Sequence, residues 1–310
     1  MLEFYKTIGN RVLQIDGLED GCWVCAISPT EKEVRYLVDE MHLEQDFVRA
    51  ALDDEESSRV ESEEGQTLVI VDVPVAEKQE EDNTILYTTM PMAIIVTEHH
   101  VITVSLKENA VLTELSQGLV KNVQTHYKNS FLLKILLRVA TRFLQYLKQI
   151  DKISYTTENF LHKTMRNKEL IQLLGLEKSL VYFSTSLKSN EVTLEKILRG
   201  RIIKLYEEDE DLLEDVIIEI KQAIEMCNIY SNILSNTMDA LSSIISNNLN
   251  IVMKVLTSIT IVMAIPNIIF GLYGMNVQGL PLPYFWMAML VAGMAVAAVT
   301  LILIKKGMFR

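Results

Sequence analysis

Apolar residues change their spacing along this chain, and each change predicts a different kind of element. Up to about residue 125 they fall in short runs rich in β-branched side chains: Arg11–Ile15, Cys22–Ile27, Thr67–Val73, Thr84–Thr89, Met92–Thr97 and His100–Leu106. Breakers separate these runs, and the pattern predicts strands. Thr30–Leu52 predicts a helix, because Ser28-Pro29-Thr30 with Glu33 three residues on is a capping-box start. Glu108–Leu119 predicts a second, short helix. From Phe131 the apolar spacing becomes three and four, with no internal proline through Phe131–Met165 and Glu169–Leu198. These segments predict two long paired helices. After Leu212 nothing breaks the helical pattern until Pro266, and from Val255 to Ile304 there is no Asp, Glu, Lys, Arg or His.

That last stretch is too long for one membrane-spanning helix, which needs about 20 apolar residues. It divides into a span from about Val252 to Met275 and another from about Tyr284 to Ile304. Asn276-Val277-Gln278-Gly279-Leu280-Pro281-Leu282-Pro283 forms the link. A helix from about Asp211 to Met275 is roughly 95–100 Å long at 1.5 Å per residue, so its first part stands outside the bilayer as a stalk. The expected fold is an α+β cytoplasmic domain followed by a long stalk helix and two C-terminal transmembrane helices. Its parts are an α/β domain (1–125), a helical pair (126–206), a stalk continuing into the first span (207–275), an outer loop (276–283), the second span (284–304) and a basic tail (305–310).

Charge sets the expected orientation. Lys254 flanks the first span and Lys305, Lys306 and Arg310 follow the second, while the loop has no Lys or Arg. The positive-inside rule puts both termini in the cytoplasm of a two-span cell-membrane protein. Met1–Lys6 lacks the pattern of a cleaved signal, and three cysteines fit a reducing compartment. The net charge of −12 argues against nucleic acid as a partner. It reads either as ordinary solubility or as an attractor of cations.

The stalk is unusual. Glu207-Glu208-Asp209-Glu210-Asp211 opens an acidic block that continues through Glu214, Asp215 and Glu219, and acidic residues suit a helix N-terminus. Between Glu225 and Lys254 the only charged residue is Asp239, and Ser and Asn abound. Stepping back from Gly274 by threes and fours gives Gly271, Asn267, Ala264, Thr260, Thr257, Met253, Asn250, Ser246, Ser243 and Asp239. In hydrocarbon, polar groups turn to a partner or to water. The stripe is therefore either a helix–helix contact of small residues or the lining of a water-filled pore. A pore needs several copies of the chain, with the first span inside and the second facing lipid.

Tyr273-Gly274-Met275-Asn276, ending the first of two C-terminal spans, resembles the CorA magnesium-transporter family. Asn250–Thr257 is similar to that family's pore entrance. The resemblance implies a homopentameric, channel-like transporter for Mg²⁺, with Co²⁺ and Ni²⁺ as further ions. It implies a selectivity filter at Gly274, Met275 and Asn276, an apolar constriction at Met253 and Leu256, and a polar ring at Asn250. It also implies closure by cytoplasmic Mg²⁺ bound between subunits near Asp215, with Glu208, Asp211 and Glu219 as neighbours. Asp239 reads either as a carboxylate ring in the lumen or as a polar interhelical contact. Neutral amide and carbonyl oxygens suit Mg²⁺, which gives up water reluctantly. The loop lacks the acidic residue that family loops often carry after this motif.

Other motifs point elsewhere weakly. Cys22-Trp23-Val24-Cys25 sits in a strand-like run, where residues three apart face opposite ways. His99-His100 reads as a polar turn. No phosphate-binding glycine loop, nucleophile elbow or HExxH motif is present, so neither an enzyme nor an organic cofactor is expected. The alternatives are a CorA-like zinc transporter and a membrane-anchored soluble protein.

Overall fold

The computed structural model describes residues 1–79, 84–164, 167–200, 203, 205–275 and 284–309. The chain forms two compact units, Met1–Ser235 and Asn236–Arg310.

The first unit is built on one seven-stranded sheet. Its strands are β1 (Leu2–Ile8), β2 (Arg11–Ile15), β3 (Trp23–Ile27), β4 (Arg59–Glu63), β5 (Gln66–Gln79), β6 (Thr84–Val96) and β7 (Val101–Ser105), in the order β2-β1-β3-β7-β6-β5-β4. Among the described residues, the β3–β7 pair alone is parallel. Alternation divides the side chains between two faces. Val24, Ala26, Leu68, Ile70, Ile95 and Val104 point to a core shared with Leu37, Phe47 and Val48. On the other face Trp23 stacks on Tyr5 at 4.9 Å, meets the edge of Phe131 at 5.6 Å and donates from Nε1 to Thr103 Oγ1 at 2.9 Å. Cys22 belongs to the first face and Cys25 is not in that cluster, as expected for residues three apart. Burial pushes the Cys25 thiol up to about 12.

The Thr30–Leu52 segment is not one helix. It holds α1 (Glu31–Arg35), a π-helical turn (Tyr36–Glu40) and α2 (Gln45–Ala50), with His42 at φ 54° between them. The capping box at Thr30 and Glu33 is present. The break lets Leu37, Leu43, Phe47 and Val48 all reach the sheet. Gln66 stabilises the break: its amide donates to His42 O at 2.7 Å and accepts from Glu44 N at 3.3 Å. Two strands escape the sequence reading. β1 is one, and β4, whose residues are mostly charged, is the other.

Thr84–Thr89 and Met92–Thr97 are one strand, running through Pro91. Pro91 faces Asp72 on β5, one residue past the point where β7 stops pairing with β6. Its missing N–H therefore costs no ladder bond.

Four longer helices follow α3 (Ala110–Ser116): α4 (Lys128–Thr164), α5 (Asn167–Gly200), α6 (Glu207–Tyr273) and α7 (Phe285–Lys305). Asn109 caps α3, its Oδ1 accepting from Leu112 N at 3.0 Å. Glu114 on α3 pairs with Arg138 and Arg142 of α4. The α4–α5 pair packs on β5 and β6. Along that contact α5 buries Ser179, Ser186, Asn190 and Thr193. Ser179 Oγ accepts from Tyr87 N at 3.2 Å, and Ser186 donates to Thr89 Oγ1 at 2.8 Å. Asn190 takes both backbone groups of Asp72 at 2.9 Å and accepts from Ser58 Oγ at 2.9 Å. It continues the ladder on the outer side of β5, where β4 pairing ends at Ile70.

Candidate functional site

Helix α6 has 67 residues, about 100 Å at 1.5 Å per residue. Four acidic residues, Glu207 to Glu210, fill its first turn and complement the helix dipole. Asp209 differs from the others. It is 7 % exposed, and its Oδ2 accepts from Tyr206 N at 3.3 Å, closing the start of the helix. Its carboxylate also offsets the effect of burial on Lys134, which lowers that ammonium's pKa.

The candidate regulatory residues Glu208, Asp211 and Asp215 are exposed and Glu219 is half-exposed. They lie along one side of α6, while Leu213, Val216, Ile220, Ala223 and Cys227 on the other side are buried. Cys227 Sγ donates to Leu180 O at 3.2 Å, and Lys221 pairs with Glu191 and Glu195, fixing the packed side against α5. Among the described residues, no three His, Cys, Asp or Glu side chains of one protomer converge on a point that could hold a metal.

In the second unit the candidate pore residues form an open line. Asp239, Asn250, Met253, Leu256, Thr257, Thr260, Asn267 and Gly271 are exposed, and Ala264 is half-exposed. The covered positions lie elsewhere on the helix. Ser258 is fully buried, and Val255, Val262, Ile265 and Ile269 are partly covered. At about 3.6 residues per turn, these sit roughly opposite the polar line. Ser258 Oγ donates to Lys254 O at 2.7 Å and lies 3.4 Å from Met308 O, so the end of the chain folds against this covered side. Helix α7 buries the small residues Ala288 and Ala292, together with Leu303. Small residues allow close helix approach in membranes.

Two hydroxyls on the open line turn back to their own helix. Ser243 and Thr260 donate to carbonyls four residues earlier, Asp239 O at 3.0 Å and Leu256 O at 2.9 Å. Pro266 lies within the helix and supplies no N–H for the Val262 carbonyl. At the C-terminal end of the helix, Gly274 N donates to Phe270 O at 2.8 Å. A Cβ at Gly274 would lie 3.2 Å from that same oxygen, whereas one at Gly271 meets nothing within 4 Å. Met275 is exposed. Asn276 and the rest of the loop to Pro283 lie outside the described residues.

Both α6 and α7 are long and apolar enough to cross a membrane. Tyr284, Phe285 and Trp286 at the start of α7 are about 70 % exposed or more, as suits interfacial anchors.

The comparisons agree with this architecture. A family model described as CorA-like Mg²⁺ transporter protein matches residues 19–306. The cobalt/magnesium transport protein CorA of Methanocaldococcus jannaschii is 28 % identical over 275 residues, covering 86 % of this chain and 84 % of that protein. The complete structure of the CorA magnesium transporter from the same organism has a TM-score of 0.80 at 22 % identity, covering 98 % of this chain and 96 % of that one. The full-length CmaX protein has the same fold at a TM-score of 0.69 and 17 % identity, covering 98 % and 96 %. With nearly the whole chain matched and two helices able to span a bilayer, this protein belongs to the CorA-like Mg²⁺ transporter family, whose members move divalent cations across membranes and are not enzymes.

Proposed function

We propose that the chain assembles as a homopentamer in the cell membrane and carries Mg²⁺ inward, with Co²⁺ and Ni²⁺ as further ions. The observation that carries this reading is the open polar line on α6, opposite the side covered around Ser258 and ending at Gly274 and Met275. Around a five-fold axis, Asn250, Thr257, Thr260 and Asn267 line a wet path, and Met253 and Leu256 narrow it. Gly274, Met275 and Asn276 offer carbonyl and amide oxygens at the outer mouth. Such neutral groups bond to the water shell of Mg²⁺ without stripping it. The membrane potential drives entry, at roughly 5 kcal/mol per divalent ion per 100 mV.

Cytoplasmic Mg²⁺ closes the path by bridging Glu208, Asp211, Asp215 or Glu219 of one subunit to its neighbour. Hard-cation sites need several oxygen ligands, and the exposed carboxylate side of α6 leaves these oxygens for a second copy to complete. Both termini lie in the cytoplasm, with Lys254, Lys305 and Lys306 at the inner interface. Along the chain, 1–125 and 126–206 form the cytoplasmic sensor and 207–275 the stalk and pore helix. Residues 276–283 form the mouth, 284–304 the lipid-facing span and 305–310 the tail.

The test is flux into proteoliposomes with Mg²⁺, Co²⁺ and Zn²⁺ side by side. Asn276→Ala is expected to lower Mg²⁺ flux while native mass still reports five subunits. An unchanged rate removes the filter assignment. Faster Zn²⁺ than Mg²⁺ flux in the parent replaces the ion.

A further inference from the structure

A cleft of about 680 Å³ opens in the first unit where α4 and α6 begin. Small-molecule sites usually enclose roughly 300–1,000 Å³. The two helical walls carry opposite charge. On the α4 side stand Lys128 and Lys134, and the first turn of α4 has no acidic residue. On the α6 side stand Glu208 and Asp209, in a first turn made of four acids. Lys128 donates to Glu98 O and Lys134 to Asn122 O. Those contacts use one of the three donors that each ammonium carries. Lys134 is half-buried, and burial lowers its pKa against the opposing pull of Asp209. An anion in the cleft restores what burial takes from that ammonium.

Much of the remaining lining is aromatic. Tyr127 is 63 % exposed and Tyr206 is 66 % exposed. His126 sits against Tyr127, with ring centroids 4.0 Å apart. Flat rings beside ammonium groups suit a base that carries phosphates. Stacking holds a base through its π-face, and lysine holds phosphate as a point charge. The acidic wall decides the form of the ligand. A bare polyphosphate is repelled by Glu208 and Asp209, and a bare cation by the lysines. A polyphosphate that carries Mg²⁺ suits both walls, because Mg²⁺ is commonly held by one or two carboxylates together with phosphates. Asp209 is already turned to Tyr206 N, so the exposed Glu208 is the carboxylate left for the cation.

We propose that this cleft binds the Mg²⁺ complex of a nucleoside polyphosphate. Lys128 and Lys134 take the phosphates, Glu208 takes the water shell of the cation, and the tyrosine rings take the base. The complex ties the start of α4 to the start of α6. Among the described residues, Asp211, Asp215 and Glu219 lie outside this lining and stay with the bridge between subunits. The site depends neither on the number of subunits nor on the filter.

The experiment titrates ATP into the full-length protein in detergent and reads the heat of binding, in excess Mg²⁺ and in EDTA. The parent is expected to bind millimolar or lower ATP in Mg²⁺, and about tenfold more weakly in EDTA. Lys128→Gln and Lys134→Gln are each expected to weaken binding of the Mg²⁺ complex about tenfold, the loss of one charge-assisted contact. Lys148→Gln, at an exposed α4 lysine outside the lining, is expected to bind as the parent does. Glu208→Gln is expected to bind ATP in EDTA more tightly than the parent, which a merely structural glutamate would not produce. Tripolyphosphate with Mg²⁺, which has no base, is expected to bind several-fold more weakly than ATP. If the lysine variants unfold, the parent's preference for ATP over tripolyphosphate and for Mg²⁺ over EDTA decides. No saturable heat in the parent, equal affinity with and without Mg²⁺, equal affinity for tripolyphosphate, or parent affinity in both lysine variants overturns the proposal. Ion flux is not read in any arm, so failure here is distinct from failure of the transport reading.

Discussion

Helices α5 and α6 use the same small polar residues to opposite ends. On α5, Ser179, Ser186, Asn190 and Thr193 are buried, and the first three bond to strands of the sheet. On α6, Ser243, Ser246, Asn250 and Thr260 are exposed, and the Ser243 and Thr260 hydroxyls turn back to their own helix. What differs is what faces them. A buried amide that replaces a missing strand is part of the fold, whereas a polar line facing nothing is available to water, ions or another copy. Polar residues at helical spacing therefore carry no meaning until their partners are known.

Asn190→Ala is the strongest way to break this comparison. It leaves both backbone groups of Asp72 and the Ser58 hydroxyl without their partner, at a cost of about 2–3 kcal/mol. Thermal unfolding of the full-length protein in detergent should show the loss. A change near zero would mean that α5 does not hold the sheet through this residue.

A smaller effect is expected at Asp72. Burial raises its carboxyl pKa, opposed in part by the nearby Ser186 hydroxyl. Between the unfolded and folded pKa values the native state therefore binds more protons than the unfolded state. Stability falls as pH rises through that window, and the penalty is complete above the folded pKa. Asp72→Asn should raise stability at pH 7. The gain should vanish as the pH drops below about 4, near the unfolded carboxylate value. A gain that persists unchanged at low pH would assign it to packing instead.

The smallest effect belongs to the other helix. Ser246→Ala removes an exposed hydroxyl and should change unfolding by no more than about 0.5 kcal/mol. A loss as large as that of Asn190→Ala would show that Ser246 has a partner after all.

The two helices were also unequally legible. Two spans, the long helix before them and most strands follow from spacing and from the absence of charge, because bilayer thickness and strand pleat impose those patterns directly. The polar line on α6 is likewise visible as a seven-residue repeat. The roles of Ser179, Ser186 and Asn190 are not, since nothing local says that β4 ends early and leaves β5 in need of an amide. Asp209 is hidden in the same way: within a run of acids, only the fold decides that this one turns inward to Tyr206. The break at His42 depends on distant Gln66, and β4 is missed because an edge strand can be mostly charged.

The early end of β4 has one more consequence. A strand edge left bare is a template on which other chains add by hydrogen bonding, and that route leads to aggregates. Here the edge is guarded twice. β4 itself is five residues long and exposes Glu61 and Glu63, and where it ends Asn190 occupies the next backbone positions of β5. A variant that frees Asp72 therefore does more than loosen a helix. It uncovers the outer part of a long apolar strand, and warming such a protein should give insoluble β-rich material before it gives monomeric unfolded chains.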